Sequence, residues 1–207
     1  MKEILCFGDS NTWGWNPVDK ERFDRDTRWT GILQKTLGEA YHVIEEGLNG
    51  RTTVWDDPID LHKKGSGHLP PLLETHRPLD LVVIMLGTND LKVRFSVSAY
   101  DIARSIGTLI EIVRASGSGR NGGAPGILVL APPPLGRLTE YADMFTGGAG
   151  KSRQLGGRCR EFAEEYGVAF FDTATVVSSS DIDGVHWEKE AHRTLGTALA
   201  REVRNLL

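Results

Sequence analysis

Five short apolar runs, separated by segments of helical periodicity, constrain this chain more than any other feature. Residues 3–7, 41–46, 80–86, 126–131 and 168–172 are rich in Val, Ile, Leu and Phe and lack polar alternation. Such runs suit strands covered on both faces, as buried parallel strands are. Between them, apolar residues recur at helical spacing. They are Trp29, Ile32, Leu33 and Leu37, then Ile102, Ile106, Leu109, Ile110 and Val113, then Leu155, Cys159, Phe162, Ala163 and Tyr166, and finally Leu195, Ala198, Leu199, Val203 and Leu206. These read as core-facing stripes, with Gly38 as a stop after the first. Strand-helix alternation of this kind predicts an α/β fold, a three-layer α/β/α sandwich on a five-stranded parallel sheet. Ligands in such folds bind outside the carboxyl ends of the strands, so function is sought in the residues that follow each run.

The 207 residues suit one domain, 1–207, and leave no room for a second. Lys plus Arg number 24 against 28 Asp plus Glu, a formal net charge of -4. No global basic field therefore exists to hold nucleic acid or an anionic membrane surface. The longest apolar run, Leu81 to Leu86, is too short to span a bilayer, and Ile4-Leu5-Cys6-Phe7 begins without a signal-peptide pattern. A cytoplasmic protein is expected. The two cysteines, Cys6 in a strand-like run and Cys159 on a helix-like face, support neither a disulfide framework nor a cysteine metal site and read as buried thiols.

Four strand ends carry chemistry-bearing residues. After the first run comes Gly8-Asp9-Ser10-Asn11, where a serine at a sharp strand-to-helix turn can present its hydroxyl as a nucleophile; the same residues also suit a simple turn or helix cap. After the second comes Gly47-Leu48-Asn49-Gly50-Arg51, in which a glycine lets a backbone N–H approach a developing oxyanion, or merely forms a turn. After the third comes Gly87-Thr88-Asn89-Asp90, where an asparagine amide is a neutral donor to negative charge, or ordinary turn chemistry. Beyond Asp172 lies Asp181-Ile182-Asp183-Gly184-Val185-His186. His186 is the natural general base, and Asp183 can accept its other N–H and fix the tautomer. Asp181 and His192 are the competitors, and His192 reads as a surface or capping residue. Taken in order on one rim of a sheet, the four blocks meet the geometric demand for nucleophile, base, orienter and oxyanion donors.

These residues resemble the SGNH hydrolases, or GDSL-type esterases, whose fold is flavodoxin-like. The matching blocks are Gly8-Asp9-Ser10, Gly50, Gly87-Thr88-Asn89-Asp90 and Asp183-Gly184-Val185-His186. The longer strings Gly8 to Trp15, Arg28-Trp29-Thr30-Gly31, Glu45-Glu46-Gly47-Leu48 and Ile84 to Asp90 are similar to the bacterial arylesterase and acyltransferase branch. By that resemblance Ser10 is the nucleophile, His186 the base, Asp183 its orienter, and Ser10 N–H, Gly50 N–H and the Asn89 side chain the oxyanion hole. The implied activity is hydrolysis of small-molecule esters with short acyl groups, aryl, alkyl or acetylated carbohydrate, or acyl transfer to alcohols. No metal or organic cofactor is implied, and a homo-oligomer is. Asn11 departs from the family's leucine and, with Trp15, Thr88 and Val185, is expected at the substrate pocket.

Trp13, Trp15, Trp55 and Trp187 all lie close in sequence to these blocks. Together they are expected to line an apolar entrance that favours alcohol over water, although core packing is the ordinary role for Trp13. Two rival readings are weaker. A phosphate loop at Gly147-Gly148-Ala149-Gly150-Lys151-Ser152 lacks its first glycine, since Phe145 stands there. A catalytically silent binding module on the same fold leaves four intact chemical blocks without a purpose.

Overall fold

The five apolar runs form strands β1 (Lys2–Gly8), β2 (Tyr41–Gly47), β3 (Leu81–Met85), β4 (Gly126–Ala131) and β5 (Ala169–Asp172) in the computed structural model, which describes residues 1–207. They make one parallel sheet in the order β2-β1-β3-β4-β5. Five helices lie in the connections between them, α1 (Ser10–Trp13), α2 (Trp29–Leu37), α3 (Gly65–His76), α4 (Ala99–Ala115) and α5 (Gly148–Glu165), and α6 (Lys189–Leu206) follows the last strand. The side-chain period of two along each strand divides the core. Leu5 and Phe7 of β1 face α3, α4 and α5, while Ile4 and Cys6 face α2 and α6. Each large aliphatic side chain buried in these layers contributes about 1.5–3 kcal/mol.

Burial on both faces holds for the three inner strands but not for the outer two. β2 and β5 are mostly half-covered because each has a neighbour on one side only. The helical stripes form as expected, except that Leu206 ends 43% exposed in the last turn of α6. Cys6 and Cys159 are buried, unpaired thiols. Helix α3 was not expected, because Gly65, Gly67, Pro70 and Pro71 are poor helix formers. It forms because Leu69 and Leu73, one turn apart, bury completely against the sheet. In the connection 116–125, Ser118 is buried and its carbonyl accepts the Leu79 N–H at 2.8 Å.

The register levels the strand ends. Gly8 of β1 lies opposite Gly47 of β2 and Met85 of β3, so the segments that follow all three emerge on one rim. The chain runs from β1 to β2 on one side and then to β3 on the other, which makes the rim beside β1 the topological switch point. There α1 rests directly on β2. A Cβ built at Gly47 would lie 2.1 Å from Trp13 N and 2.5 Å from Thr12 C. Gly47→Ala is therefore expected to displace α1 at a cost of about 1–3 kcal/mol. Thermal unfolding should show a melting temperature lower by several degrees, and an unchanged one would mean that α1 is not seated on this glycine.

Candidate active site

Ser10 owes its position to the abrupt end of β1. Asp9 caps α1, its carboxylate accepting the Asn11 N–H at 3.0 Å, so Ser10 becomes the first residue of the helix with an N–H lacking any intrahelical acceptor. The Asn11 side-chain amide donates to the Val185 carbonyl at 3.3 Å, tying this turn to the segment that carries His186. Ser10 Oγ lies 2.9 Å from His186 Nε2, and His186 Nδ1 lies 2.7 Å from Asp183 Oδ2. With Nδ1–H donating to the carboxylate, Nε2 is left as the acceptor facing the hydroxyl.

The loop 183–186 is built to hold that imidazole. Asp183 Oδ1 accepts the Val185 and His186 N–H groups, both at 2.8 Å. Gly184 has φ +79, and a Cβ there would lie 2.6 Å from the Arg137 backbone. Burial works against the Asp183 carboxylate, but the hydrogen bond and charge of His186 and the two backbone donors outweigh it and hold its pKa below the usual range. Asp181 is exposed and takes no part. His192 is not a surface residue. It is fully buried, its ring edge-on to Phe23 and Trp187, with Nδ1 accepting the Trp29 N–H at the start of α2. Desolvation and, less, the Arg28 charge lower its pKa to about 3, so it is a neutral cap on a helix distant in sequence.

The other strand-end segments meet Ser10 through Arg51. Its guanidinium lies over the Phe7 ring, 4.2 Å from the centroid, and donates to the Gly8 carbonyl at 2.8 Å and to the Glu46 carbonyl. Gly50, just before it, has φ +79, a conformation that suits glycine. Asn89 Nδ2 donates to the Arg51 carbonyl at 3.2 Å, joining the segment after β3 to the segment after β2. Beside it the buried Asp90 accepts the Thr53 N–H at 2.9 Å and the Thr53 hydroxyl at 2.7 Å.

Ser10, His186, Gly50 and Asn89 line a cavity of about 250 Å³. One wall is largely apolar, made by Trp15, Tyr141, Met144, Phe145 and Val185; the other is polar, made by Asn49, Asp60, Lys63 and Lys92. The rings of Trp15 and Tyr141 flank His186 at centroid distances of 5.6 and 5.8 Å. Among the residues expected at the pocket, Trp15 and Val185 line it, whereas Asn11 and Thr88 are buried outside the lining. Of the four tryptophans expected at the entrance only Trp15 is there. Trp187 is fully buried beneath α6, Trp55 packs on the core, and the Trp13 ring is covered by Arg22 at 4.9 Å. Tyr141, Met144, Phe145, Lys63, Lys92 and Arg51 were not singled out from the sequence. They come from irregular segments whose spacing carries no chemical signal.

The Gly147 to Ser152 stretch is no phosphate loop. It opens α5, and Ser152 Oγ is occupied by the Leu135 N–H and the Ala149 carbonyl. No group of three or more His, Cys, Asp or Glu side chains is placed to hold a metal ion, and no helix is long and apolar enough to cross a membrane. A hydroxyl hydrogen-bonded to an imidazole, itself oriented by a carboxylate, can be deprotonated as it attacks a carbonyl carbon.

Two carboxyls beneath the site make stability depend on pH. Desolvation raises Asp9 to about 6, against the Asn11 N–H and the charges of His186 and Arg51. Desolvation likewise raises Asp90 to about 6, opposed by its hydrogen bonds from Thr53 and assisted by the Asp9 charge. A carboxyl raised above its unfolded value contributes stability that is full below about pH 4 and lost as pH rises through 6. For Asp90 the loss is on the order of 2 kcal/mol, about 5 °C in melting temperature. His192 acts in the opposite sense over an overlapping range, so the informative quantity is the difference between wild type and Asp90→Asn, which keeps an acceptor for Thr53. Wild type should lose about that much relative to the variant between pH 4 and pH 7; a constant difference would show that Asp90 ionises as an ordinary carboxylate.

Residues 6–194 match the GDSL-like lipase/acylhydrolase family. Among solved structures, the native M. smegmatis aryl esterase is 46% identical, with a TM-score of 0.96 and 100% of both chains covered. A carbohydrate acetylesterase from Sinorhizobium meliloti is 44% identical, with a TM-score of 0.96 and again 100% of both chains covered. No curated protein matches the chain. The family match runs from β1 into α6 and takes in all four segments that meet at the cavity, so the chain belongs to the GDSL-like lipase/acylhydrolase family and is a serine esterase of GDSL type.

Proposed function

We propose that Ser10 is the nucleophile, His186 the general base and acid, and Asp183 its orienter, with oxyanion donors from Ser10 N–H, Gly50 N–H and the Asn89 amide. The observation that carries this reading is the Asp183-His186-Ser10 chain of hydrogen bonds, at 2.7 and 2.9 Å, ending in the cavity. In the first half-reaction His186 Nε2 takes the Ser10 proton as Oγ bonds to the ester carbonyl carbon. Collapse of the tetrahedral intermediate breaks the ester C–O bond, and His186 returns the proton to the leaving alcohol. Water then repeats the sequence on the acyl-Ser10. One N–H of the Asn89 amide is bonded to Arg51, which leaves the second for the oxyanion.

The substrates proposed are short acyl esters of aryl or alkyl alcohols or acetylated carbohydrates, in keeping with the aryl esterase and the carbohydrate acetylesterase to which the chain is similar. A cavity of about 250 Å³ supports a short acyl group. Asn11 acts on substrate only through Val185, whose carbonyl it holds. We place the protein, as one domain over 1–207, in the cytoplasm, a compartment that suits two unpaired buried thiols. Homo-oligomerisation is supported by the exposure of Val18, Ile59 and Leu61, each above 60%, and light scattering tests it.

Ser10→Ala should abolish the burst of alcohol release from an aryl acetate while leaving the melting temperature near that of wild type; a normal burst would remove Ser10 from the mechanism. Asn89→Ala should lower kcat about 100- to 1,000-fold, roughly 2.7–4 kcal/mol, with little change in KM. A change confined to KM would reassign Asn89 to substrate binding. Acyl transfer to alcohol is proposed as a second outcome of the same acyl-Ser10. Trp15 and Tyr141 beside His186 make a partly apolar approach for an acceptor. With a vinyl or aryl acetate and a primary alcohol in buffer, early product should contain more ester than the molar ratio of alcohol to water gives, and Trp15→Ala should lower that excess. Product following the molar ratio in both proteins would make this a simple hydrolase.

A further inference from the structure

The polar wall of the cavity carries one more positive charge than its ion pairs neutralise. Lys92 Nζ lies 3.6 Å from Asp57 and 3.4 Å from Asp60. Arg94 Nε lies 3.4 Å from Asp57, and its Nη2 lies 3.1 Å from Asp60. Two carboxylates thus meet two cations, and the Asp60 carboxylate at the cavity is already engaged. Lys64 pairs with Asp56 at 3.1 Å. Lys63 differs from its neighbours, since its ammonium makes neither a salt bridge nor a hydrogen bond within the chain.

The place of that ammonium is set by its stem. A Cβ built at Gly50 would meet Lys63 Cε at 3.5 Å, Cδ at 3.6 Å and Cγ at 3.7 Å, so the side chain lies along the glycine. Lys63 and Gly50 line the same cavity as Ser10 and His186. The charge therefore sits one bond beyond Cε, beside the backbone that the esterase reading assigns to the oxyanion. The largely apolar lining of Trp15, Tyr141, Met144, Phe145 and Val185, polar only at the Trp15 indole N–H and the Tyr141 hydroxyl, carries no charge and suits the apolar end of a ligand. A substrate that fits both walls is an ester with a compact negative charge near the reacting carbonyl.

We propose, on the strength of the esterase reading, that Lys63 is a specificity-determining residue and that the preferred substrates are short esters bearing a carboxylate within a few bonds of the ester carbonyl. The ammonium pairs with that carboxylate in the Michaelis complex and through the acylation transition state. At a separation near 5 Å in a solvent-open cavity the attraction corresponds to about fivefold to tenfold in kcat/KM. It weakens with ionic strength because the pair remains in contact with solvent.

Two probe pairs test the proposal, each exchanging a carboxylate for a carboxamide of nearly the same size. Acetoxyacetate and acetoxyacetamide place the charge on the alcohol side; ethyl hydrogen malonate and ethyl malonamate place it on the acyl side. Acid release is followed for wild type, Lys63→Met, which keeps an apolar stem against Gly50, and Lys63→Glu. The expected result, in at least one pair, is a charged-to-neutral ratio of kcat/KM that falls about fivefold to tenfold in Lys63→Met and further in Lys63→Glu. Raising NaCl from about 0.02 to 0.5 M should lower the wild-type ratio and leave that of Lys63→Met unchanged. Ratios equal in all three proteins for both pairs, with phenyl acetate still hydrolysed, would overturn the role of Lys63 and leave the esterase reading standing. Failure of wild type to hydrolyse phenyl acetate and every probe would overturn both.

Discussion

The parallel register that sets Gly8 opposite Gly47 and Met85 is the constraint on which the rest of the site depends. It ends three adjacent strands at one level, so that Ser10, Gly50 and Asn89 rise from a common rim without long excursions of chain. The carbonyls at that rim lie past the end of the ladder and need donors. The Leu48 N–H reaches the Gly8 carbonyl at 3.1 Å, and the Arg51 guanidinium reaches both the Gly8 and the Glu46 carbonyls. Arg51 thus closes the ends of β1 and β2 with its side chain and, through its backbone carbonyl, receives Asn89 from the segment after β3.

That arrangement buries a cation and two carboxyls within a few residues of Ser10. Desolvation lowers the Arg51 pKa to about 10, with the Glu46 and Asp9 charges opposing the shift. Asp9 and Asp90 go the other way, raised by burial. The three groups are coupled: Arg51 favours an ionised Asp9, while Asp9 disfavours an ionised Asp90. Buried polar groups of this kind destabilise the fold locally and hold loop geometry through hydrogen bonds that no apolar substitute provides. Asp183 completes the pattern from the far side of the cavity, where hydrogen bonds prevail over desolvation and keep it a carboxylate facing His186.

The location of the candidate site was legible in the sequence because three of its four blocks lie just after an apolar run and the fourth lies beyond the last strand, and a parallel sheet brings such positions together whatever the details of packing. Ser10, Gly50, Asn89 and His186 line one cavity for that reason, with Asp183 bonded behind His186. The walls of the cavity were not legible. Tyr141, Met144 and Phe145 belong to a turn between β4 and α5, and Lys63 and Lys92 belong to connections without periodicity, so only tertiary folding places them. Helix α3 escaped for a related reason: two leucines bury it against a composition that argues for a loop. His192 was misplaced because what it meets, the start of α2 and Phe23, lies more than 150 residues away in sequence, and Trp187 because it joins the core cluster that α2 and α6 share. Proximity in sequence to a catalytic block was a poor guide to proximity in space, as Trp55 and Trp13 also show.

The central claim is that Ser10 is activated by His186 and Asp183. A fluorophosphonate, which captures an activated serine by forming an O–P bond with loss of fluoride, tests it most directly when the adduct is located by mass spectrometry of the digested protein. The account predicts a single adduct on Ser10, absent from Ser10→Ala and formed far more slowly in His186→Ala, with Asp183→Asn intermediate. An adduct on another residue of the wild-type protein, or labelling of Ser10 at an undiminished rate without His186, would contradict it.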